Sequence, residues 1–218
     1  MWIDTPEGRE LVTLVSHDLV TQVAPEELDL FDELITDPQG WWANKFGIQA
    51  GIKYIDVLGI DHLDAQLEFN SARPYTYTHR DSAASYTHYN QPLAHPLGAN
   101  FREVVLTGRY QASQKWLFEG KLITAKVGED EAGFNWGNNL LLPHTSRVME
   151  YGNELLQGVR TDIILVGLDV SYQIKHNVFF DLSLLYRNFD SANDNLDEST
   201  TVVTGGFRMN IAKKKFDF

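Results

Sequence analysis

The chain has 218 residues, a formal net charge of −12, no cysteine and an apolar share of 43%. That length suits one all-β domain or two small ones, and the apolar share is enough to fold. The charge disfavours nucleic acid, whose phosphates call for lysine and arginine, and without thiols a disulfide scaffold or thiolate metal site is excluded.

The opening "MWIDTPEGRE" has neither the basic start nor the apolar stretch of a secretion signal. No apolar run reaches the length of about 18 residues that a membrane helix needs. Residues 10–23, "ELVTLVSHDLVTQV", fit either a helix or a strand. "PEELDLFDELI" predicts a short helix, with Pro25 at its start, acidic residues in its first turn, and Leu28, Phe31, Leu34 and Ile35 on one face. Residues 1–43 thus read as a loop with a short helix, and 44–218 as a β unit.

From Phe46 onward apolar residues alternate with polar ones, the period of a strand with two unlike faces. Ile48, Ala50 and Ile52 alternate with Gln49 and Lys53; Leu67 and Phe69 alternate with Glu68 and Asn70. The same pattern predicts strands over 46–54, 63–70, 103–110, 116–122, 164–174, 178–187 and 203–211. Short connections (58–62, 111–115, 175–177) alternate with long ones (71–100, 128–158, 188–200). An up-and-down meander puts the short turns at one end and the long loops at the other, as outer-membrane barrels do.

Two architectures fit this alternation. In a soluble barrel or sandwich the apolar face is the core; in a membrane barrel it meets lipid and the polar face lines the lumen. Three features favour the membrane. Aromatics gather at strand ends: Tyr54, Tyr110, Trp116 and Tyr172 near the short turns, and Trp41, Trp42, Phe69 and Tyr186 near the long loops. The polar face mixes Lys53, Glu68, Glu103, Arg109, Glu119, Lys121, Asp169, Asp181 and Arg208. The chain ends on Phe218, and a terminal aromatic resembles the signal read by outer-membrane assembly machinery. The expected fold is therefore an all-β, antiparallel, up-and-down transmembrane β-barrel segment of about seven or eight strands, in the outer membrane of a Gram-negative bacterium.

The connection 71–100 holds the candidate site. Arg73, Tyr75, Tyr77, Arg80, Tyr86, His88, Tyr89 and Asn90 combine flat apolar rings with hydrogen-bonding groups, a chemistry suited to sugar rings. The alternative is a loop folded inward on the lumen wall, its polar groups satisfied there. Catalysis finds little support. "HRDS" (His79, Asp81, Ser82) has no nucleophile elbow around it, and a Ser–His–acid site is set by geometry rather than adjacency. Glu103 and Glu119 could face each other as an acid–base pair, although Arg109 and Lys121 favour an ion network. His79, His88 and His95 are badly spaced for zinc, and the acidic "DSANDNLDE" lacks the EF-hand pattern. No catalytic residue, metal or cofactor is expected.

"WWANKFGIQAGIKYIDVLGI", "RPYTYTHRDSAASYTHYNQPLAHPLGANFREVV", "YGNELLQGV" and "VSYQIKHNVFFDLSLLYR" resemble the C-terminal half of Bacteroidetes outer-membrane proteins of the capsule assembly protein Wzi and gliding motility protein RemB kind. The likeness runs from about Trp41 to Phe218, and "YTHYNQPLAHPLGANF" is its most specific block. It implies a many-stranded barrel of which this chain is the C-terminal portion. It also implies surface roles without catalysis: polysaccharide assembly or anchoring, adhesion or gliding. The implied partners are outer-membrane lipid, surface polysaccharide, and motility or secretion machinery. A passive pore and a soluble β-barrel binding module are the competing readings.

Overall fold

The computed structural model describes residues 2–5, 8–15, 40–81 and 84–210. Its strands are β1 (Trp2–Thr5), β2 (Gly8–Val15), β3 (Gly47–Tyr54), β4 (Leu63–Ala72), the short pair β5 (Thr87–His88) and β6 (Gln91–Pro92), then β7 (Phe101–Tyr110), β8 (Trp116–Glu129), β9 (Val159–Lys175), β10 (Val178–Ser191) and β11 (Glu198–Met209). Nine of them form one sheet in the order β1-β2-β3-β4-β7-β8-β9-β10-β11, while β5 and β6 form a hairpin of their own. Each strand of the large sheet is antiparallel to its neighbour and follows it in the chain, so the fold is an all-β up-and-down meander. As far as Val15, the ambiguous stretch after Glu10 is a strand. The helix expected over 25–35 and the terminal Phe218 lie outside the described residues.

The register turns the alternation into two distinct faces. One row runs Ile52, Leu67, Leu106, Leu122, Val166 and Tyr186 across six strands. The next runs Tyr54, Ala65, Gly108, Gly120, Leu168, Leu184 and Val203. Nearest the short turns, Trp116, Tyr172, Phe180 and Phe207 close the pattern. Their rings are in contact: Trp116 to Tyr172 at 4.6 Å and Phe180 to Phe207 at 5.3 Å between centroids. Most of the large aliphatic and aromatic side chains of this face are exposed from β3 to β11, while Tyr54, Phe118, Val170 and Tyr172 are half-buried.

The opposite face is polar. Gln66, Thr107 and Lys121 share one row, and Asp64, Arg109, Glu119, Asp169 and Ser183 the next. Arg109 pairs with Glu119 at 3.6 Å and Arg208 with Asp181 at 2.8 Å. Lys53, Asp64, Arg109, Glu119, Lys121 and Asp169 surround an open recess of about 330 Å³.

Toward the long connections the two faces exchange character. The row Arg102, Lys126, Asp162 and Asp190 is charged on the otherwise apolar side. On the polar side Ala72, Phe101 and Val127 are buried together, with Tyr77, Leu97 and Ile163 packed against them. This exchange explains where the predicted strand ends fall short. β8 continues to Glu129 rather than stopping at 122, and β9 begins at Val159 rather than 164. Hydrogen bonding continues there, but the apolar residues have moved to the other parity, so a reading based on period loses the strand. Likewise β10 and β11 extend to Ser191 and Glu198, leaving a six-residue turn (192–197) where a long loop over 188–200 was expected.

Candidate functional site

The connections 73–100 and 130–158 pack together over the apolar end of the polar face. Tyr75 is their centre. It is 0% exposed, its hydroxyl donates to the Asn135 carbonyl at 2.8 Å, and its amide donates to Gly137 O at 2.9 Å. Burial pushes its phenol up to about 12. Gly137 (φ +90°) approaches so closely that a Cβ there would lie 2.5 Å from the Tyr75 nitrogen. Trp41 and Trp42 complete this cluster.

Asparagines hold the two connections together. Asn100 is wholly buried in the left-handed region (φ 58°), which asparagine tolerates better than most residues. Its Nδ2 donates to Gly128 O at 2.7 Å and Gln157 O at 2.8 Å, while its Oδ1 accepts from the Leu156 amide at 2.7 Å. Asn138 Nδ2 donates to the carbonyls of Leu97 and Ala99. Asn153 Nδ2 donates to Gly40 O at 3.0 Å, joining residues 113 apart in the chain. At the sheet, Glu103 accepts from Asn70 at 2.9 Å and lies 3.0 Å from His95 Nε2, whose ring stacks on Phe101 at 4.3 Å.

A cationic group lies beside Trp42. The Lys45 Nζ is 4.9 Å from the Trp42 ring centroid, Arg147 is 4.3 Å from it, and His144 packs on it at 4.5 Å. Lys45 is buried and donates to Thr78 O at 2.8 Å and His144 Nδ1 at 3.2 Å. Burial first, then Arg147, brings the Lys45 amine from 10.5 down to about 7. Burial and then Lys45 bring His144 down to about 4 and lower His79 as well. The folded chain therefore holds fewer protons on Lys45 than the unfolded chain between about pH 7 and 10.5, and stability rises with pH across that window. The His144 contribution acts the same way between about pH 4 and 6.5. We expect the unfolding midpoint to climb from pH 7 to 9 and the climb to flatten in Lys45→Met, as read by tryptophan fluorescence. An unchanged slope in the variant assigns the rise elsewhere.

The sequence-selected residues divide into two sets. Arg73, Tyr75 and Tyr77 belong to the packed layer: Arg73 Nη2 donates to Asn153 O at 3.0 Å, and Tyr77 is half-buried against the Phe101 cluster. Arg80, Tyr86, His88, Tyr89 and Asn90 are exposed. The last three belong to the β5–β6 hairpin, whose two turn residues, Tyr89 (φ 48°) and Asn90 (φ 59°), both lie in the left-handed region. That is a two-residue type I′ turn, normally built from asparagine and glycine. A tyrosine in it is strained, and strain held in a surface turn marks a candidate for function. Tyr89 is 88% exposed, with His88 against it at 4.2 Å, and Tyr86 and Leu93 are exposed nearby.

Other candidates come apart. The His79 amide donates to Ser85 Oγ, and Ser82 lies outside the described residues. Glu103 sits opposite Ala125, and Glu119 opposite Arg109, so the two glutamates do not face each other; each strand carries its acid at a different level. His79, His88 and His95 go to three separate places, the Trp42 side, the hairpin and Glu103. Among the described residues no group of three or more metal-ligating side chains occurs. Sequence reasoning passed over Lys45, Asn100, Asn138 and Asn153. Asn100, just after Gly98 in "LGANF", carried the one available signal, that of a tight turn. Comparison with family models, with curated proteins and with solved structures finds no match to the chain.

Proposed function

We propose that this chain forms wall and mouth of an outer-membrane barrel, without catalytic activity, and that it tethers surface polysaccharide through the β5–β6 hairpin. The observation carrying the membrane half is the continuous exposed apolar face from β3 to β11, with aromatic rings at its turn end. A soluble sheet would bury such a face, since exposed apolar patches beyond a few hundred Å² are rare on soluble monomers. Its height also agrees. From Trp116 to Lys126, and from Tyr172 back to Asp162, the outward row covers ten residue steps. That is ~33 Å along a strand at ~3.3 Å per residue. At a tilt of ~40° it projects to ~25 Å, the height of a barrel's apolar band.

The tethering half rests on the hairpin. Tyr86, His88 and Tyr89 present rings at the surface above a packed layer that fixes their position, and a rigid display reduces the ordering entropy lost on binding. Capsular or slime polysaccharide is the ligand class that the resemblance implies. Tyr86→Ala with Tyr89→Ala should weaken binding of the purified protein to such polysaccharide at least tenfold in a sedimentation or interferometry assay. Tyr75→Phe, altered only inside the packed layer, should bind as the unaltered chain does. Equal binding by the double variant removes the hairpin from the function. Conduction as a passive pore is the second reading, favoured by the charged recess around Arg109 and Glu119.

A further inference from the structure

On the apolar side, the first charged row past the band begins with two cations directly opposite each other: Arg102 on β7 and Lys126 on β8. Like charges placed opposite on one face of a sheet are destabilising unless something neutralises them. Both are exposed. Lys126 has one carboxylate oxygen of Asp162 at 3.4 Å, and Arg160 approaches the other at 3.9 Å, so these two cations share one acid. Arg102 has no ion pair among the described residues. The immediate neighbours toward the band, Val104 and Thr124, are opposite each other and begin the uncharged surface. In a chain of net charge −12, a cation pair at that border is out of keeping with the rest of the molecule.

We infer that Arg102 and Lys126, with Arg160 beside them, form a binding site for the phosphate of a membrane lipid headgroup. The inference rests on the membrane reading above, which puts this row at the level where headgroup phosphates begin. A phosphate between the two side chains removes their repulsion, and a guanidinium offers it two parallel N–H donors. The lipid's acyl chains would then lie along Val104, Leu106 and Leu122, which a free anion would not use.

The test is flotation of the full chain with two kinds of vesicle: phosphatidylcholine alone, and phosphatidylcholine containing phosphatidylglycerol. Lipid retained after detergent extraction is read by native mass spectrometry. The unaltered chain should float with both and retain phosphatidylglycerol preferentially. Arg102→Ala with Lys126→Ala should float equally but lose that preference by about thirtyfold, at ~1 kcal/mol per cation near a charged surface. Arg102→Lys with Lys126→Arg, which keeps both charges, should retain most of it. A heat-modifiable band on gels checks that each variant has folded. No preference in the unaltered chain, or a preference that survives in the double alanine variant, overturns the inference. So does displacement of the lipid by inorganic phosphate at equal concentration, which would make the site one for free anions. Failure of the unaltered chain to float with plain phosphatidylcholine overturns the membrane reading itself.

Discussion

Replacing Leu168 by arginine should strongly destabilise the folded protein in a membrane and hardly affect it in water. Leu168 lies midway between Tyr172 and Ile164 on β9, between Gly120 and Leu184, exposed on the apolar face. An arginine at the centre of a bilayer costs about 2–4 kcal/mol on a barrel's lipid face. The ratio of folded to unfolded protein in vesicles should fall between about thirtyfold and nearly a thousandfold. In water the same change, at a residue already exposed, would shift stability by no more than about 0.5 kcal/mol. The two environments thus predict results far enough apart for a urea titration in vesicles to separate them. Thr107→Glu supplies the comparison. It introduces a charge at a similar level but on the polar face, opposite Lys121, and should be tolerated. If Leu168→Arg folds as well as Thr107→Glu, the apolar face does not meet lipid.

The second large effect is expected at Asn100. Asn100→Ala leaves two carbonyls and one amide without this partner: that of Gly128, which is buried, and those of Gln157 and Leu156, which are half-buried. Each buried polar group left without a partner costs about 1–3 kcal/mol. The loss falls on the contact between connections 73–100 and 130–158 and leaves the ladder of the sheet intact. The variant should therefore keep its sheet signal in circular dichroism while becoming open to protease within 130–158. Planar bilayers provide the functional reading: little or no steady conductance for the unaltered chain, and open channels for Asn100→Ala. Asn90→Ala is the matched comparison, since Asn90 is also left-handed (φ 59°) but exposed, and it should behave as the unaltered chain. Steady conductance in the unaltered protein would instead favour the pore.

The sheet was legible in the sequence wherever one face stayed apolar. Through the middle of β3, β4, β7, β9 and β10 the period of two is unbroken, and those strands fall where alternation puts them. It failed at the ends of β8 and β9, where Ile123, Ala125 and Val127 turn to the polar side to seat the connections. A change of parity reads as the end of a strand unless its cause is known. The packed layer was less legible still. "RPYTYTH" and "SYTHYN" look alike in composition, yet Tyr75 is enclosed while Tyr89 stands in water. The difference lies in partners remote in the chain: Gly137 and Asn135 enclose Tyr75, and local periodicity holds no trace of them. Lys45 is similar, a lone cation in "WWANK" whose significance depends on Thr78 and His144.

The bond between Asn153 and Gly40 bears on how the chain acquires its shape. Every pairing in the large sheet joins strands consecutive along that sheet, most of them linked by a short turn, so the wall can grow hairpin by hairpin at small entropic cost. The contact between residues 40–42 and 150–153 is different in kind. It needs residues 113 apart, and the strands between them already paired, before Trp42 can meet Glu150 or Gly40 can meet Asn153. Loop-closure entropy opposes such contacts until the intervening chain has been ordered. Construction therefore has a direction: the sheet is laid down first, and the layer that packs on its end is fastened afterwards.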